Sequence, residues 1–195
     1  MTLANKLTLV RAALGVVTFA CVWRQTPSSI AWAWGFYVAA TVTDWIDGWI
    51  ARKTHSMSPF GALADPIADK VLVIGTLIAF LRTRNLFIPH WAVFLIVVRE
   101  LVIGGLRALA GTQGKLLAAE RWGKWKMGVQ SGCVLAILTL LLLQDTFHVR
   151  LPSWTYPLPA YLTYLCLLVT WGSAALYLHQ NRRLLQESWE GPVSR

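Results

Sequence analysis

The sequence predicts an all-α, polytopic membrane protein: a six-transmembrane-helix bundle with both termini cytoplasmic. Three observations carry that prediction. Of 195 residues, 56% are hydrophobic and only 14% charged, where a soluble domain has about 25% charged. The apolar residues fall in long runs comparable to the roughly 20 residues a span needs, and the mean hydropathy is +0.52. Eleven Trp suit a chain that meets two lipid–water interfaces. This composition excludes a disordered chain, a coiled coil and an ordinary water-soluble enzyme. The net charge of +9 reads as Lys and Arg gathered in cytoplasmic loops beside anionic lipid. No nucleic-acid partner is expected.

The spans are expected at 7–23, at 29–49 after the turn Thr26-Pro27-Ser28, and at 60–81, 86–106, 127–143 and 158–178. The polar stretch Gln180-Asn181-Arg182-Arg183 ends the membrane part. No small-residue cleavage site follows the first apolar run, so that run is expected to stay as a helix. With no internal repeat, 1–195 reads as a single membrane domain. Twelve Lys and Arg fall in the N-terminal stretch, the second and fourth loops and the tail, against four (Arg24, Arg82, Arg84 and Arg150) in the opposite loops. That bias places both termini in the cytoplasm, and an even number of spans agrees.

The acids are few and concentrated. Of nine, Asp44, Asp47, Asp65 and Asp69 fall at the cytoplasmic ends of spans two and three, and Glu100 lies within span four. A carboxylate at membrane depth is costly and marks a functional site by default. Asp44 and Asp47 are spaced i, i+3 and Asp65 and Asp69 i, i+4, which puts each pair on one helical face. The short loop 52–59 makes the two helices antiparallel neighbours, so four carboxylates can converge. Two like charges about 4 Å apart repel by roughly 4 kcal/mol at an effective dielectric of 20. Either some acids stay protonated or cations hold them, and Mg²⁺ or Mn²⁺ fit oxygen ligands that also face phosphate. The bland alternative is four separate, solvated interfacial acids. Gly48 and Ala51 share the Asp44 face and Gly61 the Asp65 face. They leave room for a flat ligand or serve as helix-packing contacts. Pro66 removes one hydrogen bond from span three.

Other residue types say less. Cys21, Cys133 and Cys166 sit in apolar runs without CxxC spacing and read as small buried hydrophobes. His55, His90, His148 and His179 form no zinc-type pair. No Ser–His–Asp or nucleophilic Cys arrangement is visible, which favours direct in-line transfer over a covalent intermediate.

Written out, the acidic stretch is Asp44-x2-Asp47-Gly48-x2-Ala51-Arg52-x8-Gly61-x3-Asp65-x3-Asp69. It matches every fixed position of the signature of the CDP-alcohol phosphotransferases, a family the chain also resembles in its six spans. Shorter stretches are similar to the phosphatidylglycerophosphate synthase branch of bacteria: Asn5-Lys6-Leu7-Thr8-Leu9-Val10-Arg11, Asp65-Pro66-Ile67-Ala68-Asp69-Lys70, Arg99-Glu100 with Gly105-Leu106-Arg107, and Gly123-Lys124-Trp125-Lys126. Met127 departs from the pattern, where Thr is expected.

The resemblance implies a reaction: CDP-diacylglycerol plus sn-glycerol 3-phosphate gives phosphatidylglycerol phosphate and CMP. It also implies roles. Asp44, Asp47, Asp65 and Asp69 would bind metal, two Mg²⁺ or Mn²⁺ ions. Asp69, with Asp65, would serve catalysis, Asp69 as base. Asp44, Asp47, Gly48, Ala51, Arg52 and Gly61 would meet CDP-diacylglycerol. A homodimer in the bacterial inner membrane, with the site facing the cytoplasm, is implied as well. For the acceptor's phosphate the cations Arg107, Lys124 and Lys126 are on the correct side, though each also reads as a positive-inside charge touching headgroups. Arg99 and Glu100 read equally as structural or catalytic. Asn5, Thr8 and Arg11 either border the site or face headgroups. Two other readings compete: another alcohol acceptor, such as serine or inositol phosphate, and an ion or proton transporter using the acids as a path.

Overall fold

The computed structural model describes residues 3–54, 59–112 and 121–182, with side chains for 6–44, 64–83, 85–108 and 125–182. Among the described residues six long helices follow one another: α1 (Leu3–Arg24), α2 (Pro27–Thr54), α3 (Pro59–Phe80), α4 (His90–Thr112), α5 (Arg121–Leu141) and α6 (Leu158–Gln180). Among the described residues there is no strand. Pro27 and Pro59 each open a helix, where a missing N–H costs nothing and the fixed φ is already helical. The fourth helix starts at His90 rather than at the expected residue 86. Phe87 takes a left-handed conformation (φ 47°) after a single 3-10 turn, and Pro89 disfavours helix in the residue before it. The fifth helix runs on through a π turn, Leu142–Thr146.

Helix α1 packs against both α2 and α3, and side-chain pairs fix its direction. Thr8 meets Asp65, Arg11 meets Asp69 and Gln25 meets Thr83, at sequence separations of 57, 58 and 58. A near-constant offset means that α1 and α3 run parallel, with α2 returning between them in sequence. Gly15 allows the close approach: a Cβ there would lie 3.0 Å from the Cα and N of Leu72. Helix α2 runs antiparallel to α5, since Trp34 Nε1 donates to Thr139 Oγ1 at 3.0 Å and the Tyr37 hydroxyl lies 3.1 Å from Ser131 Oγ. Helices α4 and α6 are parallel, tied by the Trp91–Tyr164 ring contact and the Arg99–Ser173 hydrogen bond. Ile30, Tyr37, Leu77, Phe80, Ile96, Ile137 and Leu138 fill the core between them.

Among the described residues three stretches are long and apolar enough to cross a membrane: Lys6–Arg24, Trp125–Thr146 and Ser153–Gln180. The other three long helices, α2, α3 and α4, are the ones that hold Asp44, Asp65, Asp69, Arg99 and Glu100.

The bundle has two chemically different ends. At one, Thr8 and Arg11 face Asp65 and Asp69. At the other, Arg82 stacks over Trp23 with 4.8 Å to the ring centroid. A cavity of about 810 Å³ opens there beside Gln25, Thr83, Asn85, Gln144, Asp145 and His148, and neither Asp44, Asp65 nor Asp69 lines it.

Candidate active site

The carboxylates are gathered by α1. Arg11 is buried, with 1% of its surface exposed. Its Nη1 lies 2.8 Å from Asp44 Oδ1 on α2 and 3.5 Å from Asp69 Oδ1 on α3. Less than one turn earlier, buried Thr8 donates its hydroxyl to Asp65 Oδ1 at 2.5 Å. The i, i+3 spacing of Thr8 and Arg11 puts both on one face of α1. The i, i+4 spacing of Asp65 and Asp69 turns both toward it. Asp44 is half exposed, its side chain at 49%, so the cluster is open to solvent on the α2 side while its cation is enclosed. The guanidinium offsets the repulsion that two neighbouring carboxylates would otherwise feel.

Asp47, Gly48, Ala51 and Arg52 lie within α2, Gly61 within α3 and Lys124 within α5, but their side chains are outside the described set. Residues 55–58, including His55, are outside it altogether. Among the described residues no group of three or more His, Cys, Asp and Glu side chains is gathered so as to hold a metal ion. The donor set nevertheless suits a hard divalent cation. Oδ1 of Asp44 and Oδ1 of Asp69, from two different helices, already converge on one positively charged nitrogen, and carboxylate oxygens are what Mg²⁺ and Mn²⁺ take.

A second charged group lies beside the first, because Lys70 follows Asp69 on α3. Lys70 Nζ donates to the carbonyl of Glu100 at 3.1 Å. Gly104 makes room for that ammonium, since a Cβ there would lie 2.7 Å from Nζ. Glu100 Oε1 accepts from Arg99 Nη1 at 3.1 Å and from Lys126 Nζ. Arg99 also donates to Ser173 Oγ at 2.6 Å. Arg99, Glu100 and Lys126 are all buried, and together they carry more positive than negative charge. Arg107 is exposed, and its guanidinium carbon sits 5.2 Å from the ring centroid of buried Tyr177.

The structure therefore brings Asp44 and Asp69 together on Arg11, with Asp65 held by Thr8, and separately joins Glu100, Arg99, Lys70 and Lys126. It places Thr8 and Arg11 at the carboxylates rather than toward headgroups. Sequence reading had the signal for both in the N-x-L-T-x-x-R start. What it lacked was the register that carries them to α3.

Comparison with known proteins adds a family. The sequence model for CDP-alcohol phosphatidyltransferases matches residues 1–176. The chain is 38% identical over 173 residues to CDP-diacylglycerol–glycerol-3-phosphate 3-phosphatidyltransferase 2 of Arabidopsis thaliana, covering 78% of this chain and 70% of that protein. It is 38% identical over 106 residues to the Bacillus subtilis (strain 168) CDP-diacylglycerol–glycerol-3-phosphate 3-phosphatidyltransferase, covering 54% and 52%. It is also 34% identical over 155 residues to a cardiolipin synthase (CMP-forming) of Oryza sativa subsp. japonica, covering 73% and 46%. The chain thus spans about half the length of the Bacillus and rice relatives it matches.

Proposed function

We propose that this chain, which belongs to the CDP-alcohol phosphatidyltransferase family, transfers the phosphatidyl group of CDP-diacylglycerol to sn-glycerol 3-phosphate. The products are phosphatidylglycerol phosphate and CMP, in phospholipid biosynthesis. The observation that carries this reading is the convergence of signature carboxylates from α2 and α3 on Arg11, beside a buried group rich in cations around Glu100. The first is suited to the donor's pyrophosphate once metal is present, the second to an acceptor that brings a phosphate.

In this reading the acceptor hydroxyl attacks the phosphorus that bears the diacylglycerol, and the bond from that phosphorus to the CMP oxygen breaks. Asp44, Asp47, Asp65 and Asp69 would hold Mg²⁺ or Mn²⁺, two ions in the full site. Bound there, divalent ions supply charge neutralisation for the pyrophosphate and the leaving CMP. Asp69 takes the hydroxyl proton, helped by Asp65 in shaping the site. Gly48, Ala51 and Gly61 leave space for the cytidine, with Arg52 nearby. Arg107, Lys124 and Lys126 meet the acceptor phosphate, and Glu100 holds Lys126 and Arg99 in place for it. Metal dependence and each of these roles belong to the proposal.

The same reading takes the six helices as six spans of one membrane domain, 1–195, with cytoplasmic termini and site. The positive-charge bias supports that orientation. A homodimer in a bacterial inner membrane completes it, by resemblance to the family.

The rice relative favours a second reading, in which phosphatidylglycerol is the acceptor and cardiolipin the product. An acceptor screen separates the two. The purified chain in mixed micelles is given labelled CDP-diacylglycerol and Mn²⁺, with glycerol 3-phosphate, phosphatidylglycerol, serine or inositol phosphate. Product with glycerol 3-phosphate alone supports the first reading. Product with phosphatidylglycerol alone replaces it by the second.

A further inference from the structure

We infer that Arg11 is a resident cation of the carboxylate cluster, with which a divalent ion competes for Asp44 and Asp69. The inference rests on the metal reading above and concerns what this chain does before metal arrives. A single nitrogen, Nη1, contacts Oδ1 of Asp44 at 2.8 Å and Oδ1 of Asp69 at 3.5 Å. A divalent ion takes carboxylate oxygens, so it would compete with the guanidinium for these two side chains, and the two cations would repel.

Withdrawal of the backbone would give up a close helix contact. Helix α1 is seated on α3 at Gly15, where even a Cβ would meet the Leu72 backbone at 3.0 Å. Thr8 holds Asp65 less than one turn away. Exchange therefore falls to the Arg11 side chain. Its burial, at 1% exposure, distinguishes it from a solvated surface charge that would be screened away. The consequence is twofold. The protein itself partly balances the charge of the carboxylates, and the affinity for metal is set lower than three or four bare carboxylates would give.

Mn²⁺ binding to the purified full chain, without substrate, tests this. Free Mn²⁺ is followed by electron paramagnetic resonance in wild type, Arg11→Gln and Arg11→Lys. Arg11→Gln should bind Mn²⁺ at least about tenfold tighter, a change of about 1.4 kcal/mol. Arg11→Lys keeps the charge but lacks the fork that reaches two carboxylates, so it should fall between. Thermal unfolding gives a second readout: metal-free Arg11→Gln should melt below wild type, and Mn²⁺ should raise its Tm by more than it raises the wild-type Tm. If Arg11→Gln does not fold without metal, tighter Mn²⁺ binding by Arg11→Lys than by wild type carries the inference. Equal or weaker Mn²⁺ binding in the variants overturns it and makes Arg11 a scaffold for the carboxylates. No Mn²⁺ binding by wild type or variant overturns the metal reading itself.

Discussion

Glu100 on α4 accepts a charge-assisted hydrogen bond from Lys126 on α5, both side chains about 8% exposed. The same carboxylate oxygen also receives Arg99. Removing one member of a buried ion pair leaves an uncompensated charge and costs about 3–5 kcal/mol. Glu100→Gln should therefore lower the Tm in detergent clearly, whatever it does to turnover. The double variant Glu100→Gln/Lys126→Met should recover part of the loss, because an apolar replacement of the pair needs no partner. An unchanged Tm in the single variant would show that water or lipid headgroups satisfy Lys126 and Arg99.

The α1–α3 contact gives a prediction that does not touch the chemistry directly. At Gly15 the opposing atoms belong to the Leu72 backbone, which cannot turn aside as a flexible side chain would. Gly15→Ala should destabilise by about 1–3 kcal/mol, the usual cost of overpacking. The same shift would move Arg11 and Thr8 relative to Asp69 and Asp65. Gly35 is the control: a Cβ there meets nothing within 4 Å, and Gly35→Ala should leave the Tm unchanged or higher.

Arg107 is exposed beside Tyr177, where it can meet an incoming phosphate. Arg107→Ala should raise KM for glycerol 3-phosphate and leave CDP-diacylglycerol binding nearly unchanged. A lost charge-assisted phosphate contact is worth about 1.5–3 kcal/mol, or roughly 10- to 150-fold in affinity. A change in KM without a change in kcat is what loss of uniform binding looks like. An unchanged KM would return Arg107 to the role of a positive-inside charge.

What the sequence made legible follows from which interactions are local. The face shared by Asp65 and Asp69 is set by helical period, and the approach of Asp44 and Asp69 to one guanidinium follows from a short connection between their helices; the expected convergence of all four acids includes Asp47, whose side chain is outside the described set. Arg11 was visible twice, as a cytoplasmic-side charge and as part of a motif. Neither view says that Arg11 reaches α2 and α3, because a parallel α1–α3 register with an offset of 57–58 is a tertiary fact. Lys126 was read as a phosphate ligand or a headgroup charge. Its bond to Glu100 joins residues that no periodicity connects. The start of α4 was placed too early because 86–89 is apolar, while the left-handed Phe87 and Pro89 decide the backbone there.

The proposed orientation has its own test. Ser56 falls between α2 and α3 in the sequence, outside the described residues, and the charge bias predicts that this connection is cytoplasmic. A cysteine at Ser56 should resist a membrane-impermeant thiol reagent applied to intact cells and react after lysis. Strong labelling of intact cells would invert the topology.

The central claim is that the Asp44–Asp65–Asp69 cluster is where phosphatidyl transfer occurs. CMP release from CDP-diacylglycerol in the presence of glycerol 3-phosphate measures it most directly. The wild-type chain should release CMP with Mg²⁺ or Mn²⁺, stop on chelation and recover when metal is restored. Asp69→Asn should lose kcat by about 100-fold or more, the scale of general-base assistance, while remaining folded. Full CMP release in excess chelator, or from Asp69→Asn at the wild-type rate, would contradict the account.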